Sequence, residues 1–429
     1  MTRKQASGFE LLLEIGTEEL PAQFVPPALA GLKDKATHLL KEARLSHGAL
    51  KTMGTPRRLT LCVQGVADHQ EPVATEAMGP SKAVGFDAQG QPTRAAIGFA
   101  ASQGMDVTAL VARTMPKGEY LFAIKQDAGR KTSLLLPALL SELAGSLTFQ
   151  KAMRWNDTGV RFARPVRWLL ALYGGKPVRF QFAGLTAGDR TWGHRFLSSG
   201  RPLRVKDGRS YETSLEKAGV IVDPDNRRTM ILSQMNRIAR EKKGHVHEDE
   251  ALLEQAVFSV EMPEVLIGSF NPQHLALPQD VLMTSMKEHQ GYFSLLRKDD
   301  GLLPHFIAVV NMKGSQTATI RAGNERVLAA RLADARFFFD EDRKARLESR
   351  LEKLKGVTFH QKLGTLHQKV GRIMAFATRL ADTLGDLDAI EHCRQAAKLC
   401  KADLVTGMVG EFPTLQGVMG REYARHDGE

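Results

Sequence analysis

Cysteine is scarce in this chain. The three thiols in 429 residues, Cys62, Cys393 and Cys400, make neither a disulfide framework nor a zinc-ligand spacing. Cys393 and Cys400 are seven positions apart, share a helix face if the segment is helical, and read as core residues rather than a redox pair. Such usage suits a reducing compartment, and the cytoplasm is the expected location. Long hydrophobic runs are missing as well. No stretch approaches the roughly 18–20 apolar residues that span a bilayer, so no membrane is expected. The opening MTRKQASGFELLLEIGTEEL has only a very short apolar run before Glu14 and reads as a strand, not a signal peptide. There is no GxxxxGK[ST] phosphate loop, no low-complexity linker and no internal repeat. Acidic residues are in deficit, 48 against 59 lysines and arginines, for a formal charge of +11.

The excess of positive charge is local. Residues 151–206 hold twelve basic side chains (Lys151, Arg154, Arg161, Arg164, Arg167, Lys176, Arg179, Arg190, Arg195, Arg201, Arg204, Lys206) against Asp157 and Asp189 alone. All three tryptophans, Trp155, Trp168 and Trp192, lie in the same stretch. Clustered cations attract a polyanion through long-range field and counterion release, and aromatic rings beside them can stack on unpaired bases. The alternation of Arg179 and Gln181 with Phe180 and Phe182 equally describes a sheet with rings toward the core and arginines toward water. That basic face then meets either RNA or an acidic patch on a partner.

Length and ordinary composition allow two or three domains with ample core. Strands are expected at 9–16, 56–66, 263–270, 291–297 and 305–311, a hairpin at 165–185 turning on Gly174-Gly175, and helices at 22–45, 93–103, 131–145 and from Asp223 to about Lys243. Strands and helices mix without regular βαβ alternation, so the fold class is α+β. After Arg321 the pattern turns helical: 324–355, 366–382 and 388–409. The expected division is a mixed α+β region over 1–345, possibly subdivided, and a helical domain over 346–429.

Five segments carry a family resemblance: LLLEIGTEELPAQFVPPAL (11–29), TPRRLTL (55–61), MTSMKEHQGYF (283–293), GNERVLAARLADARFFFDED (323–342) and KADLVTGMVGEFPTLQGVMGREYARHDGE (401–429). Together, in this order, they resemble the beta subunits of bacterial tetrameric glycyl-tRNA synthetases. The resemblance implies that the first region is similar to the core domain of the phenylalanyl-tRNA synthetase beta chain and the second to an HD domain. It implies an alpha subunit that binds glycine and ATP, with magnesium, and makes the adenylate. It also implies a heterotetramer, tRNA(Gly) as the nucleic-acid partner, and a further region beyond residue 429 for the tRNA body and anticodon. On that reading this chain has no catalytic residue, metal or cofactor of its own. It positions the acceptor arm, with Arg57, Arg58, Lys151, Arg154, Arg161, Arg164, Arg167, Lys362, Lys369 and Arg372 as candidate RNA contacts.

Three alternatives come from the residues. A metal-dependent HD phosphohydrolase would use His245, His247, Glu248 and Asp249, or His360 and His367. The adjacent His-Asp pair of such enzymes is replaced here by Ala402-Asp403, leaving Asp403 as an expected surface carboxylate near Arg394, Lys398 or Lys401. An editing hydrolase, which the core-domain resemblance implies as a possibility, would draw on Lys287, Glu288 and His289, which as chain neighbours diverge. An assembly module would use the basic face without touching RNA.

Overall fold

The computed structural model describes residues 8–314, 316–385 and 387–429. The expectation that the basic start is no signal peptide falls largely on residues 1–7, outside the described residues. Two compact units are present: 8–193 with 200–218, and 194–199 with 219–429. The boundary expected near 345 falls inside the second unit.

In the first unit β1 (Phe9–Thr17) is the central strand, buried from Leu11 to Thr17 as its nearly unbroken apolar run requires. The chain continues through α1 (Val25–Glu42), β2 (Leu50–Thr55) and β3 (Arg58–Val66). The first turn of α1 accommodates Pro26 and Pro27, as expected of a helix start. An excursion follows: β4 (Val73–Ser81), α2 (Lys82–Gly85), α3 (Arg94–Ser102), β5 (Val111–Met115) and β6 (Gly118–Asp127), with a three-stranded sheet ordered β4-β6-β5. None of these three strands is among those expected from the sequence. β4 and β5 are largely exposed, and β6 buries only the consecutive Leu121, Phe122 and Ala123, so no apolar alternation marks them.

Helix α4 (Thr132–Gly145) leads back to β7 (Val166–Tyr173) and β8 (Lys176–Pro177). The main sheet is antiparallel, ordered β2-β3-β1-β7-β8. The Gly174-Gly175 turn forms as expected, both glycines at positive φ, but the hairpin ends at once. Residues 181–186 form a separate pair, β9 (Gln181–Phe182) and β10 (Leu185–Thr186), turned by Ala183 and Gly184 at positive φ. β11 (Arg190–Trp192) pairs with β12 (Pro202–Arg204), and α5 (Gly208–Lys217) closes the unit.

The second unit starts with α6 (Pro224–Glu241), capped by Asp223 through the Asp225 amide, with proline at the first position. β13 (His245–Val246), α7 (Glu250–Ser259), β14 (Glu264–Ser269), α8 (Gln279–Gln290), β15 (Phe293–Leu296) and β16 (Leu302–Val310) follow, with an antiparallel sheet ordered β13-β15-β16-β14. Helix α9 (Thr317–Asp342) stops earlier than the expected 355; the stretch 347–356 is a tighter 3-10 turn held by Arg350, which donates to the Asp342 carbonyl at 2.6 Å. The hairpin β17 (Thr358–His360) and β18 (Gly364–Thr365) leads into α10 (Leu366–Leu384) and α11 (Leu387–Leu399). The helix expected over 388–409 is broken: 402–405 form a 3-10 turn, and α12 (Gly407–Glu411) and α13 (Val418–Asp427) are separate.

One core joins α8, β16 and α9 to the last helices through Val281, Met286, Leu328, Leu332, Met408, Phe412 and Met419. The two C-terminal cysteines are outside it: Cys393 is half-buried and Cys400 exposed, which corrects the sequence expectation. No described helix is long and apolar enough to cross a membrane.

Candidate nucleic-acid interface

The residues of the first motif are organised around one buried carboxylate. Glu14 on β1 accepts hydrogen bonds from Trp168 Nε1 on β7, from Thr191 Oγ1 on β11 at 2.6 Å and from Tyr211 Oη on α5. Arg58 on β3 lies 3.5 Å from the same carboxylate and donates to Thr191 Oγ1 at 3.2 Å. Tyr211 Oη is also 2.8 Å from Thr60 Oγ1, and burial followed by the Glu14 charge pushes its phenol well above the usual range. Glu14 and Arg58 are both 0% exposed, so each charge depends on the other and on this ring of donors. Gly16 makes the arrangement possible, because a Cβ there would lie 1.9 Å from Trp168 Cε2.

This network corrects one expected RNA contact. Arg57 and Arg58 are both expected RNA contacts. Arg58 is wholly interior, while Arg57 is half-buried, 5.6 Å over the Trp168 ring and 3.5 Å from the Gly193 carbonyl. Neither Trp168 nor Trp192 is a free stacking platform: Trp168 is buried and packs 5.1 Å from the half-buried Trp192.

The segment between α4 and β7 is different. Lys151, Arg154, Arg161 and Arg164 are all exposed there. The segment folds back on itself, Met153 and Phe162 exchanging backbone hydrogen bonds of 2.8 and 3.2 Å. Phe149 and Phe162 pack with ring centroids 4.7 Å apart and planes tilted by 60°, and Phe162 is fully buried. At the tip, Asn156 donates to the Ala183 carbonyl at 2.9 Å and accepts from Thr158 Oγ1 at 2.6 Å. Apolar rings and one amide thus fix the backbone while the cations stay at the surface. Lys151, Arg154 and Arg161 have no ion-pair partner among the described residues. Arg164 folds onto the Ala163 carbonyl at 2.9 Å, and Arg167 pairs with Glu18 at 3.3 Å. With Asp157 as the loop's own carboxylate, four cations on one short, anchored loop leave an excess of positive charge that repels itself unless an anion neutralises it.

The other expected contacts, Lys362, Lys369 and Arg372, lie in the second unit on the β17–β18 hairpin and α10. Lys362 and Arg372 are exposed, whereas the Lys369 ammonium sits 3.7 Å over the Phe359 ring. Four residues of the alternative readings have structural duties. Asp249 caps α7 through the Leu252 amide at 3.0 Å and pairs with Lys287 at 2.5 Å. His245 pairs with Asp300 at 3.2 Å, and His289 stacks on Phe412 at 5.0 Å. His245, His247 and Asp249 line an open cleft of about 850 Å³ with Arg228 and Arg240, but no three His, Cys, Asp or Glu side chains converge as metal ligands among the described residues.

Asp403 is not the surface carboxylate expected. It is 1% exposed and accepts from the Gly417 amide at 2.5 Å and the Gly420 amide at 3.1 Å, capping α13. Asp342, also buried, accepts from the Gly407 and Met408 amides at 2.9 and 2.8 Å and from Tyr423 Oη at 3.0 Å. These two carboxylates hold the last motif together. Sequence reasoning missed Asp342, Asn156 and Phe162; nothing in the acidic run Asp340-Glu341-Asp342 that ends the helix singles out its third member as the buried one.

A family model described as glycyl-tRNA synthetase beta subunit matches residues 11–429. The chain is 49% identical over 420 residues to the glycine–tRNA ligase beta subunit of Geobacter sp. (strain M21), which covers 98% of this chain and 61% of that protein. It is 50% identical over 420 residues to the same subunit of Trichlorobacter lovleyi, with the same two shares, 98% and 61%. For that of Moorella thermoacetica the identity is 46% over 422 residues, covering 98% of this chain and 60% of the other. The chain therefore spans about three fifths of the length of these curated relatives. With a family match over essentially all its residues and near half identity to these relatives, the chain belongs to the glycyl-tRNA synthetase beta subunit family.

Proposed function

We propose that this chain serves glycine–tRNA ligase by holding the acceptor arm of tRNA(Gly) against a separate alpha subunit, which binds ATP, magnesium and glycine and makes the adenylate. The observation that carries the reading is the anchored loop 151–164, whose Lys151, Arg154 and Arg161 are exposed and unpaired among the described residues. Phosphate contacts of this kind fix register and orientation without reading sequence. Arginine grips a phosphate through two donors, lysine as a point charge. Held at one distance from the activated amino acid, the terminal ribose gains proximity, which lowers a barrier without a catalytic side chain on this chain. The chain alone makes no adenylate on this reading, and it works in the cytoplasm as part of an alpha–beta heterotetramer. The first region corresponds to the core domain of the phenylalanyl-tRNA synthetase beta chain. The last helices correspond to an HD domain whose metal-site aspartate has become a helix cap; the burial of Asp403 under two amides supports that assignment.

The test is tRNA(Gly) binding across a salt series, with and without the alpha subunit. Replacing Lys151, Arg154 and Arg161 by glutamine removes up to three phosphate contacts. The slope of log affinity against log salt then falls by roughly 0.7–0.9 per contact. An unchanged slope and affinity, with the alpha subunit still bound, would overturn RNA contact in this loop and leave an assembly role. Glycine-dependent ATP–pyrophosphate exchange by the purified chain would overturn the division of labour.

A further inference from the structure

We infer that the outward face of α10 docks an amphipathic helix carrying acidic residues, supplied by a partner polypeptide; this rests on the proposed function, under which that polypeptide is the catalytic subunit. Phe376, Leu380 and Leu384 follow one another at four-residue spacing and are 74%, 62% and 74% exposed. Successive members drift by only about 40° around the helix and span about 12 Å, so they form one stripe two turns long. The stripe does not stop at Phe376. Lys369 lies on the same azimuth, and its ammonium covers Phe359, which together with Leu363 is exposed on the β17–β18 hairpin. The inner half of the same apolar face, Val370 and Ala381, is already buried. Helix α10 is therefore apolar over nearly half its circumference, and only one side of that half is covered.

The charges around the stripe select the partner. Arg372 and Arg379 are exposed along one flank, and Lys362 and Lys369 lie at the hairpin end. None of the four has an ion-pair partner among the described residues. The only carboxylate of α10, Asp382, is on the far side of the helix from the stripe. A second copy of this chain packed on the stripe about a two-fold axis would bring Arg372 and Arg379 against their own counterparts, a like-charge arrangement that opposes association. RNA gains nothing from covering Leu380 and Leu384, which offer no ring to stack on. A helix with apolar anchors at i, i+4 and i+7 and carboxylates along one flank satisfies both the stripe and its rim.

The probe is the purified catalytic subunit, titrated against this chain and against two variants, Phe376→Ser/Leu380→Ser and Arg372→Glu/Arg379→Glu. All four side chains are on the surface, so melting temperatures stay at the wild-type value. The serine pair is expected to weaken catalytic-subunit binding by about tenfold or more, while tRNA(Gly) binding by the loop 151–164 is unchanged. The glutamate pair is expected to weaken it comparably and to reduce its salt dependence. Wild-type affinity in the serine variant overturns the inference and leaves the proposed function standing. So does self-association, or binding to vesicles of mixed phosphatidylcholine and phosphatidylglycerol, that the serine pair abolishes while catalytic-subunit binding persists. A folded wild-type chain that binds neither the catalytic subunit nor tRNA(Gly) overturns both.

Discussion

Replacing Arg58 by alanine separates a structural arginine from an RNA contact. Arg58 and Glu14 are both fully buried, and their closest approach is 3.5 Å. Removing the guanidinium leaves a carboxylate inside the sheet with no opposite charge. Breaking one side of a buried ion pair costs about 3–5 kcal/mol. Glu14 keeps three hydrogen-bond donors, Trp168, Thr191 and Tyr211, so the lower end, about 3 kcal/mol, is expected. For a unit of this size that lowers the melting temperature by about 6–12 °C. The assay is thermal unfolding followed by tryptophan fluorescence, since Trp168 is part of the network. Pairing Arg58→Met with Glu14→Gln removes both charges together and recovers most of the loss, because the penalty comes from the orphaned carboxylate. At a temperature where the Arg58→Ala protein is folded, its tRNA salt slope equals that of wild type. A variant of native stability whose tRNA binding is lost would refute the reasoning and return Arg58 to the RNA-facing role.

Gly16→Ala places a methyl group 1.9 Å from Trp168 Cε2, and the indole must leave its site. A loss of at least about 1–3 kcal/mol, with a red-shifted emission, is expected in the same fluorescence assay, and an unshifted spectrum at wild-type stability would contradict it. Asp403→Ala strips two partly buried amides of their charged acceptor and should cost about 1–3 kcal/mol. Hydrogen exchange at Gly417 and Gly420 checks this directly: both amides should lose protection, and less so in Asp403→Asn. Burial pushes the Asp249 carboxyl up, but the Lys287 hydrogen bond, the Leu252 amide and the Lys287 charge outweigh it and hold it below the ordinary carboxylate range. The native state therefore binds that proton less readily than the unfolded chain. The pair stabilises above the ordinary carboxylate pKa, and its contribution is lost as pH falls through the lowered value. Urea midpoints measured from neutral to acid pH should decline less steeply in Asp249→Asn than in wild type; parallel curves would exclude the pair as a source of acid sensitivity.

The central strand was legible because a strand buried on both faces leaves a nearly unbroken apolar run, as at Leu11–Ile15, where Glu14 is the one interruption. The start of α6 was legible because Asp223-Pro224 is a local signal that needs no tertiary partner. The strands β4 to β6 were not, because β4 and β5 are largely exposed and β6 buries three consecutive residues, which leaves no period-two pattern. The break of the last helical stretch at 400–406 was not, because it is made by Asp342, Asp403 and Thr406, and the first of these lies some sixty residues upstream. Charge tells the same story. Composition alone located the positive excess in 151–206, and all twelve of its basic side chains are exposed. It could not tell Arg58, locked inside the sheet, from Arg57 beside it, since extended neighbours point oppositely and only the packed layers decide which side is interior. Sequence by itself determined the family motifs, the α+β character and the location of the charge, all of which are carried by residue identity and short-range spacing. Tertiary structure alone decided which cations reach water, which carboxylates became caps, and which face of α10 was left uncovered, because each depends on side chains brought together from distant parts of the chain.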